Sequence, residues 1–205
     1  MEIKRIQEQR EIAVVVPVKR LALAKSRTGL PVTARAALAL DLARHTLAMV
    51  RDCSSISGIV VVTGDEAVAE VARDHRALVV GEPRGADLDV AAQLGIQAAG
   101  SALGAEHVGV LVSDLPALTV GDLDDAISEY FEQPTRMYVA DQHRSGTTFL
   151  VQGTTGLPRT GFGPGSARRH ETLGFRHARA AAPGLRFDLD TREDLGRVRE
   201  QFAHI

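Results

Sequence analysis

The sequence predicts an α/β domain with a mostly parallel, mixed sheet flanked by helices, and three observations carry that reading. Short β-branched runs at 12–18 (IAVVVPV), 58–63 (GIVVVT), 77–80 (ALVV) and 107–112 (HVGVLV) lack strict apolar/polar alternation, the pattern of strands buried on both faces. Helix-length stretches at 33–51, 65–74 and 88–101 lie between them, the first with Leu38, Leu42, His45 and Met49 near helical spacing. Each strand–helix–strand passage is then a crossover, and the first half of the chain reads as a doubly wound unit. The length of 205 residues, 44% of them hydrophobic, suits one sizeable core, so the whole chain reads as one domain with residues 1–11 as a polar N-terminal extension.

The second half reads as mixed sheet. A helix is expected at 121–132, strands at Met137–Ala140, Thr147–Val151 and Leu185–Leu189, and a Gly- and Pro-rich connection at 153–166. The last helix, 191–203, opens on Thr191 as N-cap with Asp194 three residues on, a capping box with Asp in place of Glu.

Composition removes several classes of function. With 24 Lys+Arg against 26 Asp+Glu the net charge is -2, which argues against a nucleic-acid footprint. Cys53 is the single cysteine, so neither an intrachain disulfide nor a zinc module with cysteine ligands is available. The first dozen residues lack the apolar stretch of a secretory signal, and the longest apolar run is broken by Pro17, far short of the roughly 20 residues that span a bilayer. A cytoplasmic protein without a membrane or nucleic-acid partner is expected, and a homodimer is left open because no heptad seam signals one.

In open α/β sheets ligands bind outside the carboxyl ends of the strands, which directs attention to four places. The loop VKRLALAKSR carries Lys19, Arg20, Lys25 and Arg27, four cations that suit a polyphosphate; a solvated basic loop is the bland alternative, and the spacing is not that of a P-loop. The segment VLVSDLP delivers Asp114 to the sheet edge, where it can hold Mg²⁺ with substrate phosphates or cap the next helix. In RFDLDT a period of two puts Asp188 and Asp190 on one strand face, where like charges call for a cation, unless one of them caps the last helix. Finally, RSGTT and TGFGPGSARRH combine Thr147, Thr148, Gly163 and Ser166. If Ser166 opens a helix, Arg168 and Arg169 fall in its first turn, where cations are disfavoured unless an anion is bound nearby. An ordinary Gly-rich loop is the competing reading.

Taken in order, VPVKRLALAKSR, VVTGDEAV, SDLP, SGTT, FGPGSARRH and FDLDTREDL resemble the phosphoenolpyruvate and 2-phospho-L-lactate guanylyltransferases of coenzyme F420 biosynthesis, over about Ile12 to Val198. The resemblance implies a single-domain, Rossmann-like nucleotide-diphospho-sugar transferase fold. It implies transfer of GMP from GTP to a small three-carbon phosphoacid with release of pyrophosphate. Carried over by position, Thr147 (or its neighbour Thr148), Gly163 and Ser166 match the acceptor-binding residues, and Asp114, Asp188 and Asp190 match the acids expected to hold two Mg²⁺ ions. Lys19, Lys25 and Arg27 fall on the loop that meets the triphosphate, with Asp114, Lys19 and Lys25 as the catalytic set.

Two positions depart from the family pattern. Ser113 replaces a glycine before Asp114, and Leu88-Asp89 stands where Leu-Asn is common, so a nucleotide contact at Asp89 would lose a donor. Rival readings are a molybdenum-cofactor type nucleotidyltransferase, disfavoured by the absence of glycine from the loop after the first strand, and a non-catalytic nucleotide-binding protein on the same fold. The chemistry itself requires no general base, because a phosphate monoester with a second pKa near 6 is already largely dianionic at neutral pH. His45, His75 and His107 accordingly read as helix or strand-end residues.

Overall fold

The computed structural model describes residues 10–156, 160–180 and 182–202. Its elements in chain order are β1 (Ile12–Val18), single 3-10 turns at Leu21–Leu23 and Ser26–Thr28, α1 (Val32–Asp52), β2 (Ile56–Thr63), α2 (Glu66–Asp74), β3 (Leu78–Gly81), α3 (Leu88–Leu103) and β4 (His107–Leu111). Then follow α4 (Val120–Glu132), β5 (Met137–Ala140), β6 (Thr147–Gly153), α5 (Ser166–Thr172), β7 (Arg176–His177), α6 (Pro183–Arg186) and α7 (Arg192–Phe202). Most of the polar extension expected at 1–11, residues 1–9, and part of the Gly- and Pro-rich connection lie outside the described residues.

β1 is apolar at every position because both of its faces are covered. Ile12, Val14, Val16 and Val18 join Ala39, Ala43, Leu47 and Val50 of α1 in one core cluster, which extends to α2 and α4. Ala13 and Val15 point the other way and pack with Ala91, Ala92, Ile96 and Ala99 of α3. Burying a Val or Leu side chain on either face contributes about 1.5–3 kcal/mol, so the continuous apolar run specifies a central strand. α3 approaches the sheet closely at Gly95, where a Cβ would come within 2.1 Å of a Val15 methyl. Pro17 is tolerated in this central strand because pairing with β4 covers only Ala13–Val15 and has ended before it.

The sheet order is β3-β2-β1-β4-β6-β5-β7. β1 to β4 are mutually parallel, β6 runs antiparallel to both β4 and β5, and β7 runs parallel to β5. No described helix is long and apolar enough to cross a membrane.

One predicted element is absent. The alternating segment Leu185–Leu189 is not a strand: Pro183–Arg186 is a single helical turn, and 187–190 is unpaired chain. The edges of the sheet are β3 and the two-residue β7, and the segment adds to neither. Leu189 is instead buried with Leu42 and Leu195, and its N–H donates to the Asp114 carbonyl at 3.0 Å. The last helix begins as expected, with the Thr191 hydroxyl oxygen accepting from the Asp194 N–H while the Asp194 carboxylate accepts from the Thr191 N–H.

Candidate active site

Strand direction gathers the site at one sheet edge. β1 to β4 end there, and β6, running the other way, begins there: Leu111 pairs with Phe149, and the Val112 N–H donates to the Thr148 carbonyl. β5 ends at the same edge and delivers Asp141, whose carboxylate accepts from the Ser145 and Gly146 N–H groups and so folds the turn that presents Thr147. The chain leaves β1 for β2 on one side while β4 lies on the other, which makes the end of β1 the switch point of the sheet.

Lys25 stands at the centre of this edge. Its ammonium donates to Asp114 Oδ2 at 2.6 Å, to the Leu189 carbonyl at 2.5 Å and to Asp190 Oδ1 at 3.4 Å, with only 7% of the side chain exposed. The residue is left-handed, with φ 54, a conformation that costs a non-glycine residue about 1–3 kcal/mol and persists only where its surroundings enforce it. Burial pulls the Lys25 pKa down, but Asp114 and Asp190 outweigh it, and the ammonium is held above its usual range. Arg27 pairs with the outer oxygen of Asp190. Lys19 and Arg20 lie on the other flank beside Glu82, so the basic loop straddles the crevice at β1.

Two features of the acids fit a divalent cation. Asp114 Oδ1 is buried without a hydrogen-bond partner, although its sister oxygen is held by Lys25. The Asp188 carboxyl is pushed up to about 7 by burial and then by the charges of Asp114, Asp190 and Asp141. Among the described residues no three acidic, His or Cys side chains come together to ligate one ion, so the expected set of Asp114, Asp188 and Asp190 is not assembled as a three-ligand site; Mg²⁺ is usually held by one or two carboxylates together with waters and substrate phosphates. The residues that could hold it are Asp114 and Asp188, with Asp190 beside them. These acids come together through a loop and not through a shared strand face.

The loop carrying Gly163 and Ser166 is clamped from two sides. His170 Nε2 accepts from the Gly161 N–H at 3.0 Å, and His170 Nδ1 lies 2.8 Å from the Thr147 hydroxyl. Asp89 Oδ1 accepts from the Phe162 N–H at 2.7 Å, while its Oδ2 accepts from Gln93. Gly163 has φ 114, which a side chain would rarely adopt, and a Cβ there would meet the Arg169 guanidinium at 3.0 Å. Ser166 is the buried first residue of α5, Gly165 being the N-cap. Thr147 and Thr148 open β6 at a register shift against β5: Thr147 meets His170, and Thr148 donates weakly to the Val139 carbonyl.

The profile of the family described as "Guanylyl transferase CofC like" matches residues 12–198. The chain belongs to this family. A phosphoenolpyruvate guanylyltransferase of Geodermatophilus obscurus is 40% identical over 191 residues, covering 89% of this chain and 86% of the relative. Phosphoenolpyruvate guanylyltransferase 2 of Rhodococcus jostii is 35% identical over 192 residues, covering 92% and 84%. Solved structures share the fold at low identity. A nucleotidyl transferase from Methanothermobacter thermautotroptrophicus has a TM-score of 0.61 at 18% identity, over 94% of this chain and 98% of that one. The 4-diphosphocytidyl-2C-methyl-D-erythritol synthase of Anaerococcus prevotii has a TM-score of 0.64 at 9% identity, over 97% and 99%. The nucleotidyltransferase fold expected from the sequence is therefore observed in this CofC-like chain.

Against that family background, two expected site residues gain contacts within the chain and one expectation changes. Asp89, expected on the nucleotide, has both oxygens engaged inside the chain, and it accepts from a backbone N–H as an asparagine oxygen could. Arg169, expected to signal a bound anion, is accounted for by the Phe162 and Pro164 carbonyls, to which it donates at 3.2 and 2.9 Å. Asp188 and Asp190 flank Leu189 in unpaired chain. Asp141 and His170 are the members of this edge that sequence reasoning passed over; the Asp–x–x–x–Ser–Gly turn signal was available for the first, whereas His170 has meaning only once α5 is folded back onto β6. His45 and His107 are structural, bonded to the Leu118 carbonyl and the Tyr130 hydroxyl.

His170 is fully buried, and burial pushes its pKa down to about 4; Asp89 pulls upward and Arg169 downward. Its folded pKa lies below the unfolded value of about 6.5, so its neutral form contributes stability that is complete above that value and is lost as pH falls towards 4. Denaturant titrations of wild type and His170→Asn between pH 7 and 4 should differ in slope by about one proton, or about 1.4 kcal/mol per pH unit. Parallel curves would show that His170 does not carry this loss.

Proposed function

We propose that this CofC-like nucleotidyltransferase transfers the guanylyl group of GTP to phosphoenolpyruvate, or to 2-phospho-L-lactate, with release of pyrophosphate, as a step of coenzyme F420 biosynthesis. The observation that carries the proposal is the Lys25–Asp114–Asp190 cluster at the switch point, flanked on one side by the basic loop and on the other by the Thr147–Gly163–Ser166 loop. Its two flanks suit two anionic substrates meeting over one set of acids. The names of the relatives, across about nine-tenths of this chain, support the choice of guanylyl donor and phosphoacid.

An oxygen of the acceptor phosphate attacks the α-phosphorus of GTP; the new P–O bond forms as the bond to the bridging α–β oxygen breaks, and its electron pair leaves with pyrophosphate. No proton has to move, in keeping with an edge at which His170 is neutral and buried. The residues therefore act by position and charge. Lys19, Lys25 and Arg27 meet the triphosphate, while Thr147, Ser166 and the backbone at Gly163 orient the acceptor. Mg²⁺ held by Asp114 and Asp188, with Asp190, would supply charge neutralisation for the acceptor oxygen and the departing pyrophosphate. Such chemistry places the enzyme among the nucleotide and phosphoacid pools of the cytoplasm.

Incubating the protein with Mg²⁺, one nucleoside triphosphate and one phosphoacid, and following pyrophosphate together with product mass, tests the reading. A guanylylated phosphoacid formed from GTP, and not from CTP or ATP, is expected; cytidylyl transfer, or GTP binding without any product, would overturn it. Within that assay Ser166→Ala should raise the KM for the phosphoacid about tenfold, roughly 1.4 kcal/mol, and leave that for GTP within about twofold. Equal rises for both substrates would take Ser166 off the acceptor.

A further inference from the structure

The clamp around His170 contains a proton assignment that the reaction scheme does not use. The Gly161 N–H can only donate, so Nε2, 3.0 Å away, must present its lone pair. In a neutral imidazole the proton then sits on Nδ1, and the partner 2.8 Å from Nδ1 is the Thr147 hydroxyl oxygen, which must accept. A threonine hydroxyl has one hydrogen, and with Nδ1–H donating to its oxygen that hydrogen is turned away from the ring. The ring itself has little freedom to reverse these roles: it is fully buried, with the Phe162 ring at 5.0 Å and the Phe175 ring at 5.3 Å, both near edge-on.

We propose that His170 is a positioning residue for the acceptor: by donating to Thr147 it fixes that buried hydroxyl as a donor, turned away from the ring, to an anionic oxygen of the phosphoacid, and by holding the Gly161 N–H it sets the height of the loop that carries Gly163 and Ser166. This rests on the reading of Thr147 as an acceptor contact. Its consequence is selectivity by charge. A hydroxyl locked as a donor stabilises a phosphate or carboxylate oxygen and offers nothing to a neutral donor group in the same place. His170 touches no reacting atom and acts only through Thr147 and the loop. Its proton state is independent of the metal-binding acids, since its contacts are to Thr147 and the loop backbone, with Asp89 and Arg169 as the charges facing it.

The two ring nitrogens can be tested separately. Asparagine places an amide N–H₂ near the Nδ1 position and keeps the donor to Thr147, whereas glutamine reaches the Nε2 position with its amide oxygen and keeps the acceptor for Gly161. His170→Gln should raise the KM for phosphoenolpyruvate about tenfold, with the KM for GTP unchanged within about twofold, and His170→Asn should recover to within about threefold of wild type. Thr147→Val is the reference. If it leaves the phosphoenolpyruvate KM unaltered, the acceptor reading of Thr147 fails and takes the proposal with it. If it raises that KM while the Asn and Gln variants of His170 are equally impaired, or impaired for both substrates alike, the acceptor reading survives and the donor role of His170 is overturned. Long-range ¹⁵N–¹H spectra of the unsubstituted protein provide a readout independent of activity: a protonated Nδ1 and a bare Nε2 at pH 7 are expected, and the reverse tautomer would overturn the proposal even if every variant misfolded.

Discussion

Asp114→Asn is expected to lower kcat by about 10³-fold, equivalent to about 4 kcal/mol of transition-state stabilisation, with KM values that change far less. The expectation follows from the two oxygens. Oδ2 holds Lys25 in place, and Oδ1 is buried with no partner, the position from which a carboxylate can meet a cation that arrives with the substrate. An asparagine can replace only one of these functions, because its carboxamide has one acceptor oxygen and no charge. The substitution also has a cost in folding. Lys25 would retain the Leu189 carbonyl and the longer contact to Asp190, so the nearly buried ammonium is left under-compensated and stability should fall by about 1–3 kcal/mol. Pyrophosphate release and denaturant titration of the same preparation measure both effects. Turnover within tenfold of wild type, in a folded protein, would remove Asp114 from the chemistry.

How much of this was legible in the sequence depends on the range over which each signal acts. The strands β1 to β4 and the helices between them declare themselves through local runs, because a strand covered on both faces must be apolar throughout and an amphipathic helix must repeat its apolar positions. Leu185–Leu189 misled for the converse reason: alternation predicts a strand, but the helical turn at Pro183–Arg186 and the burial of Leu189 against Leu42 and Leu195, residues far along the chain, hold the segment off the sheet. The individual site residues could be named because they follow strand ends or sit in short motifs, yet their partners could not. Nothing in the sequence around Lys25 indicates that it bonds residues 89, 164 and 165 positions away. Asp89 shows the same limit, since the resemblance pointed only to a nucleotide contact and gave no sign of the Phe162 N–H, 73 residues on, that its carboxylate holds.

Lys25→Met should separate the two tasks that fall to this lysine, and the left-handed backbone determines the choice of replacement. Glycine would remove the charge but also relieve the φ 54 strain, so its two effects on stability would oppose each other; methionine keeps the Cβ and the length of the stem, and changes mainly the charge. Without the ammonium, Asp114 faces Asp188 and Asp190 with only the exposed Arg27 guanidinium left, on Asp190. The metal-free protein should lose about 2 kcal/mol, a figure kept below that of a fully buried pair because Asp114 and Asp190 retain 23% and 38% exposure. Turnover should fall by about 10²- to 10³-fold, since the triphosphate loses a cation at the switch point. The discriminating result is the response to Mg²⁺ alone. In the wild-type protein the ion must compete with an ammonium already held by the acids, whereas in Lys25→Met it meets an Asp114 carboxylate without a cation, and so it should raise the melting temperature more in the variant than in wild type. An equal shift in both proteins would mean that Lys25 and the cation do not share these acids, and that the lysine serves the triphosphate alone.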